Sequence, residues 1–258
     1  MAVELHSRKT GTGYPLVILH GLFGSSDNWQ SFALRMAEKE FEVYSVDLRN
    51  HGRSPHHPEH NYKAMAEDVM EFIKTEIRKP VALMGHSMGG KTAMRAALDF
   101  PEWIDILIVL DIAPSAYPVL HAEIIAALKS IDLNVLTTRN EANTMLAEKI
   151  KQEDTRQFLL KGLYRKDDNR FSWRFNLDIL EKEIENVGEA IDSEEPFTKP
   201  TLFIRGEKSN YVREEHFAQI NKLFPESEIH TAPAAGHWIH ADNAEWLGEE
   251  ARAFIIER

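Results

Sequence analysis

Ser87 is the residue of this chain most suited to nucleophilic chemistry. It is the centre of Gly85-His86-Ser87-Met88-Gly89, a G-x-S-x-G pattern between the apolar run Val81–Met84 and a segment of small residues that includes Thr92, Ala93, Ala96 and Ala97. Such a pattern marks a sharp strand-to-helix turn that lifts the serine hydroxyl above a sheet, and its glycines are needed where the turn packs too tightly for a Cβ. The plainer alternative is a serine that only caps the next helix. A serine hydroxyl is a weak nucleophile without a base. The stretch Ala232 to His240, APAAGHWIH, offers His237 after the flexible Gly236, with His240 as a competitor where the final helix opens.

An imidazole base needs a carboxylate to hold its tautomer and stabilise the imidazolium. Two candidates exist. Asp111 closes the apolar run Ile104–Asp111, and Glu207 opens the loop Glu207-Lys208-Ser209-Asn210-Tyr211, which contains no Asp. A carboxylate ending so apolar a run is costly to bury alone, and a histidine partner would compensate; Asp111 is therefore favoured over Glu207. An oxyanion hole needs two backbone N–H groups aimed at the developing charge. Met88, after the serine, supplies one at a helix N-terminus. The second is expected from His20-Gly21-Leu22-Phe23-Gly24-Ser25, with Leu22 preferred and Phe23 next, because the glycines let that backbone approach closely.

Rival chemistries fit less well. The glycine loop has neither G-x-G-x-x-G nor G-x-x-x-x-G-K-[ST], so it does not read as a nucleotide site. The pairs His56-His57 and His237/His240 come without a clear set of carboxylates, so no metal and no cofactor are expected.

These groups converge only if particular elements hold them. Short apolar runs at Pro15–Gly21, Phe41–Asp47, Pro80–His86, Ile104–Asp111, Pro200–Gly206 and Ser227–Pro233 read as strands buried on both faces. Helices are expected at Asn28–Lys39, Tyr62–Ile77, Ser87–Asp99, Val212–Phe224 and Ala241–Ile256. The alternation predicts an α/β fold with a mostly parallel sheet. In such sheets ligands bind at the carboxyl ends of the strands. The residues collected there would be His20–Gly24, Asp47–Ser54, Ser87, Asp111, Glu207–Tyr211 and His237.

From about Ser115 to Glu195 no convincing strand is found. VLHAEIIAALKSI, EANTMLAEKI, TRQFLLKGL and NLDILEKEIENV read as helices, and the aromatic Arg170–Asn176 has no helical period. The expected organisation is a core of residues 1–114 and 196–258 with a helical lid at 115–195; the alternative is a separate helical domain. Phe158, Leu159, Leu163, Phe171, Trp173 and Phe175 are candidates for an apolar substrate slot in that lid, or for packing between lid and core. Phe158, Leu163 and Trp173 are taken as substrate-binding.

Composition narrows the partners. The 258 residues carry 30 Lys+Arg against 41 Asp+Glu, a formal net charge of -11, which disfavours a nucleic-acid groove or an anionic membrane surface. Cys is absent, which removes thiolate chemistry and suits a reducing compartment. The N-terminus has no signal-like apolar core, and no run is long enough to span a bilayer. A cytoplasmic protein with a small-molecule partner, and without a nucleic-acid or membrane partner, is expected; the oligomeric state is left open.

HGLFGSSDNW, VDLRNHGRSP, GHSMGGKTAM, DIAP and AAGHW together resemble the α/β-hydrolase superfamily over nearly the whole chain, and within it the YbfF-type branch of small bacterial esterases. The resemblance implies a Ser-Asp-His hydrolase with a helical lid. Most of the superfamily takes its acid from the loop after TLFIRG, where this chain has Ser209. The resembled branch departs in the same way and uses the Asp of DIAP, with that Ser as an accessory, which carries over to Asp111 and Ser209. The motif at Asp47–Ser54 has Asn50 where Gly is commoner, and it is assigned no chemistry. The expected reaction is hydrolysis of short to medium acyl esters or thioesters through an acyl-enzyme. A carbon–carbon hydrolase on the same triad and a non-catalytic ligand-binding protein are the alternatives.

Overall fold

The computed structural model describes residues 1–119 and 121–258. Seven strands form the main sheet: β1 (Ser7–Thr10), β2 (Tyr14–Leu19), β3 (Phe41–Val46), β4 (Val81–His86), β5 (Ile104–Leu110), β8 (Thr201–Gly206) and β9 (Ser227–Ala232). Their order is β1-β3-β2-β4-β5-β8-β9; β1 is antiparallel to β3 and the rest are parallel. The expected strands agree within a residue or two. β1 was not expected: its SRKT is polar and only partly buried, so it carries no apolar signal.

Strand alternation divides the core in two. Leu16 and Ile18 face one layer with Ala82, Met84, Leu202 and Ile204, against α1 (Gln30–Ala37) and the terminal helix α11 (Ala244–Ile256). Val17 and Leu19 face the other with Leu83, Val109 and Phe203, against α2 (Tyr62–Phe72) and α3 (Met88–Asp99). Burial on both faces is what parallel strands require.

Several helices are shorter than the sequence suggests. Ser26–Trp29 forms a tight 3-10 turn before α1, and Glu214–His216 another before α9 (Phe217–Leu223). The last helical segment breaks at Asn243, whose side chain accepts from Trp246 N–H. This caps α11 and leaves the short α10 (Ile239–Asp242) as a separate turn.

Between β5 and β8 the chain forms α4 (Ala122–Lys129), α5 (Arg139–Lys149), α6 (Glu153–Lys161), α7 (Leu177–Lys182) and α8 (Ile184–Gly188). Leu120, which the sequence reading put in the first of these helices, lies outside the described residues. The segment also holds a hairpin, β6 (Leu163–Arg165) with β7 (Phe171–Trp173), where no strand was expected. Three-residue strands are too short for a period to show. The turn chemistry was present in Lys166-Asp167-Asp168-Asn169, where Asn169 takes φ 66. Asn50 ties this segment to the core: its carbonyl accepts Asn176 N–H at 2.9 Å, and its own φ is 66. Asn tolerates that left-handed backbone, and here its side chain adds a bond from His57 N–H at 2.9 Å that Gly could not make.

Candidate active site

Ser87 lies between β4 and α3 with φ 53 and ψ -119, a strained geometry for a residue with a side chain. The flanking glycines show why the strain persists. A Cβ on Gly85 would come within 2.1 Å of the Gly89 carbonyl oxygen, and one on Gly89 within 2.5 Å of the Leu19 and His20 carbonyl oxygens. The β4–β5 ladder pairs His86 with Leu110, so Ser87 and Asp111 leave adjacent strands one residue beyond the same rung. Ser87 N–H donates to the Leu110 carbonyl at 3.1 Å and Asp111 N–H to Ile204 at 2.8 Å, extending the ladder past both.

Asp111 is fully buried, with φ 49. Its Oδ1 accepts Gly206 N–H at 2.9 Å, and its Oδ2 accepts both Ser209 Oγ–H and His237 Nδ1–H, the latter at 2.8 Å. A buried carboxylate with three donors meets the cost of its burial. Glu207 does something else. It is exposed and accepts Ala234 N–H at 2.7 Å, bracing the turn before His237. Between the two carboxylates, the one on His237 is Asp111.

His237 is held on several sides. Besides Asp111, the Tyr211 ring stacks on it at 4.1 Å and 24°, and His86 Nε2–H donates to its carbonyl at 2.8 Å. Its Nε2 has no protein partner among the described residues. His240 lacks a carboxylate; it stacks on Trp29 at 4.4 Å, and burial lowers it to about 4. Sequence alone gave no sign of His86 or Tyr211 as supports, since both act through contacts between distant segments.

The loop His20–Gly24 lies against the elbow: a Cβ on Gly21 would sit 3.0 Å from His86 Nδ1 and 3.3 Å from Ser87 Cβ. Two buried histidines shape this loop. His20 Nδ1–H donates to the Gly21 carbonyl at 2.8 Å while Nε2 accepts Leu48 N–H at 3.0 Å. His51 Nδ1–H donates to the Arg49 carbonyl at 3.0 Å while Nε2 accepts Phe23 N–H at 3.2 Å. Each needs a neutral ring, and burial lowers both below the ordinary histidine value. The bond to His51 corrects the reading of Phe23 as an oxyanion donor, because its N–H is already committed. The N–H groups of Leu22 and Met88 have no protein acceptor among the described residues.

Ser87, His237 and Leu22 line one cavity of about 270 Å³, walled by Ile124, Phe158 and Trp238 among others. Of the proposed slot residues, Phe158 and Leu159 reach it. Leu163 and Trp173 do not. They pair across the hairpin and are buried in the core, Trp173 stacking on Phe175 at 5.3 Å. Phe171 and Phe175 are core residues too. Aromatic content alone cannot tell which way a side chain in a short hairpin faces. Among the described residues no group of three His, Asp or Glu is placed to hold a metal ion.

Comparison with known proteins places this geometry in context. The family described as "alpha/beta hydrolase fold" matches residues 14–244. The mouse "sn-1-specific diacylglycerol lipase ABHD11" is 39% identical over 247 residues, covering 93% of this chain and 80% of that protein. "Esterase YbfF" of Escherichia coli is 34% identical over 244 residues, covering 93% and 92%. The solved structure "Marine microorganism esterase" superposes with a TM-score of 0.95 at 43% identity, covering 98% of this chain and 100% of that one.

Proposed function

This chain belongs to the α/β-hydrolase family and is a serine hydrolase of the esterase kind; from that premise we propose that Ser87, His237 and Asp111 form its catalytic triad. In the first step His237 Nε2 takes the Ser87 Oγ proton as Oγ attacks the ester carbonyl carbon. The carbonyl π pair moves to oxygen, where the Leu22 and Met88 N–H groups stabilise it. The pair returns, the bond to the alkoxy oxygen breaks, and His237 gives that oxygen its proton, releasing the alcohol. Water then attacks the acyl-enzyme by the same route. His237 takes the water's proton and returns it to Ser87 Oγ as the acid leaves.

Asp111 acts on His237 rather than on substrate, fixing Nδ1–H so that Nε2 is the basic nitrogen. Ser209 is a positioning residue, because its hydroxyl holds the same Asp111 oxygen that His237 uses. The observation that carries the reading is the 2.8 Å bond from His237 to buried Asp111, in the cavity into which the strained elbow sets Ser87. Residues 115–195 serve as the lid. The partner is a small-molecule ester or thioester, and the setting is cytoplasmic.

Ser87→Ala is expected to lower p-nitrophenyl acetate turnover by about a millionfold, to the level left by binding alone. A fluorophosphonate should label Ser87 in the native protein, mapped by mass spectrometry. Full activity in the Ala variant overturns the assignment.

A further inference from the structure

Ser87 borders two hollows of very different size. The large cavity of about 270 Å³ contains His237. The second, about 30 Å³, lies toward Met88 and is walled by Ile112, Tyr117, Val119, Tyr62 and Val187; His237 does not line it. Ser87, His121 and Tyr211 border both.

We infer that the small hollow receives the acyl group and the large cavity the alcohol, so that the substrates are acetyl or similarly short acyl esters of longer apolar alcohols. This rests on the triad reading above. The leaving oxygen must come within hydrogen-bond reach of His237 to receive its proton. The alcohol portion therefore extends into the cavity that His237 lines. Once the carbonyl carbon is bonded to Ser87 Oγ and its oxygen is held between Leu22 and Met88, one substituent remains. It points away from His237, toward the hollow beside Met88. At about 30 Å³ against about 270 Å³, the hollow has room for a short acyl group and far less for a chain than the cavity that His237 lines.

The walls of the small hollow are pinned, so its size belongs to the fold. Tyr62 O–H donates to the Val187 carbonyl at 2.6 Å, and Tyr117 N–H to the Gly188 carbonyl at 2.8 Å. Tyr117 O–H donates to the Tyr211 carbonyl and accepts Ala113 N–H at 3.0 Å. Buried Lys91 on α3 donates to the Glu189 carbonyl. Both tyrosine hydroxyls are thereby occupied, and Ile112, Val119 and Val187 give the hollow aliphatic walls. A chain can lengthen there only by breaking these bonds. The large cavity is bounded in part by helix side chains, Ile124 of α4 and Thr155 and Phe158 of α6.

Hexyl acetate and ethyl hexanoate are constitutional isomers of nearly equal polarity, so their comparison isolates which side carries the length. The native enzyme is expected to show kcat/KM at least about tenfold higher for hexyl acetate, the discrimination expected when even one methylene finds no room. Val187→Ala and Val119→Ala, which enlarge the small hollow, are each expected to narrow that ratio at least about threefold by gaining on ethyl hexanoate. A native ratio below ten, or reversed, overturns the assignment while leaving the triad standing. An unchanged ratio in both variants overturns it as well. If neither isomer is hydrolysed and the fluorophosphonate leaves Ser87 unlabelled, the triad reading itself has failed.

Discussion

The carboxyl edge of the sheet and the insertion between β5 and β8 hold their parts by different means. At the sheet edge, backbone does the work. Ser87 and Asp111 each follow a paired strand residue, both carry positive φ, and ladder bonds continue past them. The insertion is tied to the core by side chains instead: Asn176 donates to the Asn50 side chain, and the core side chains of Lys91 and Tyr62 donate to the Glu189 and Val187 carbonyls. The first arrangement fixes Ser87 and Asp111 relative to one another through the ladder itself, the kind of precision that a proposed triad needs. The second sets the shape of the space around them and can be altered piece by piece. The difference implies that substitutions at the sheet edge act on turnover, and those in the insertion on stability or selectivity.

The sharpest test lies at the sheet edge. Asp111→Asn keeps the shape but removes the charge and the tautomer control on His237, and kcat is expected to fall about ten-thousandfold. Glu207→Gln, whose side chain only braces a turn, is expected to stay within about threefold. Steady-state kinetics on p-nitrophenyl acetate reads both, and a larger loss in the Glu207 variant would reverse the assignment.

In the insertion, Leu163→Ala empties a fully buried site of the core. Urea unfolding should show a loss of about 2–5 kcal/mol, while kcat of the folded fraction stays within about threefold. If kcat falls as far as in the Asp111 variant, the two regions are not separable.

His60 probes how they join, because Asn186 of the insertion donates to its carbonyl at 3.0 Å. Burial, with Arg49 nearby, lowers His60 to about 4 from 6.5. The folded ring stays neutral where the unfolded chain takes up a proton. The stability linked to it is whole above the unfolded value and is lost as pH falls from there through about 4. Its full size is roughly 3 kcal/mol. Urea midpoints between pH 7 and pH 5 should therefore drop less in His60→Gln than in the native protein; equal slopes would remove His60 from the account.

The smaller loss expected among the groups on Asp111 Oδ2 is at Ser209. Replacing it by Ala leaves Asp111 Oδ2 with His237 as its partner, and kcat should fall about tenfold, the worth of one charge-assisted bond. No change would make Ser209 a bystander; a loss as large as that of Asp111→Asn would make it part of the chemistry.

Sequence carried the sheet edge well because its requirements are local. A glycine on each side of Ser87, an apolar run ending in Asp111 and a glycine before His237 are contiguous patterns with a steric or electrostatic cause. What stayed hidden depends on pairings between distant segments. That His51 consumes the Phe23 N–H, that Tyr211 stacks on His237, and that Trp173 turns into the core are facts of tertiary contact. The choice between Asp111 and Glu207 was partly legible, since burial cost favours the residue that ends the apolar strand. Ser209 rested on family resemblance, for a lone serine in a loop has no signal of its own.

The shared rung between β4 and β5 has a thermal consequence. Central ladders exchange their amide hydrogens only when the whole molecule opens, whereas peripheral helices fray at lower cost. The separation between Ser87 and Asp111 should thus survive until global melting, while the insertion helices that wall the larger cavity soften earlier. Warming is then expected to broaden what this enzyme accepts before it silences it.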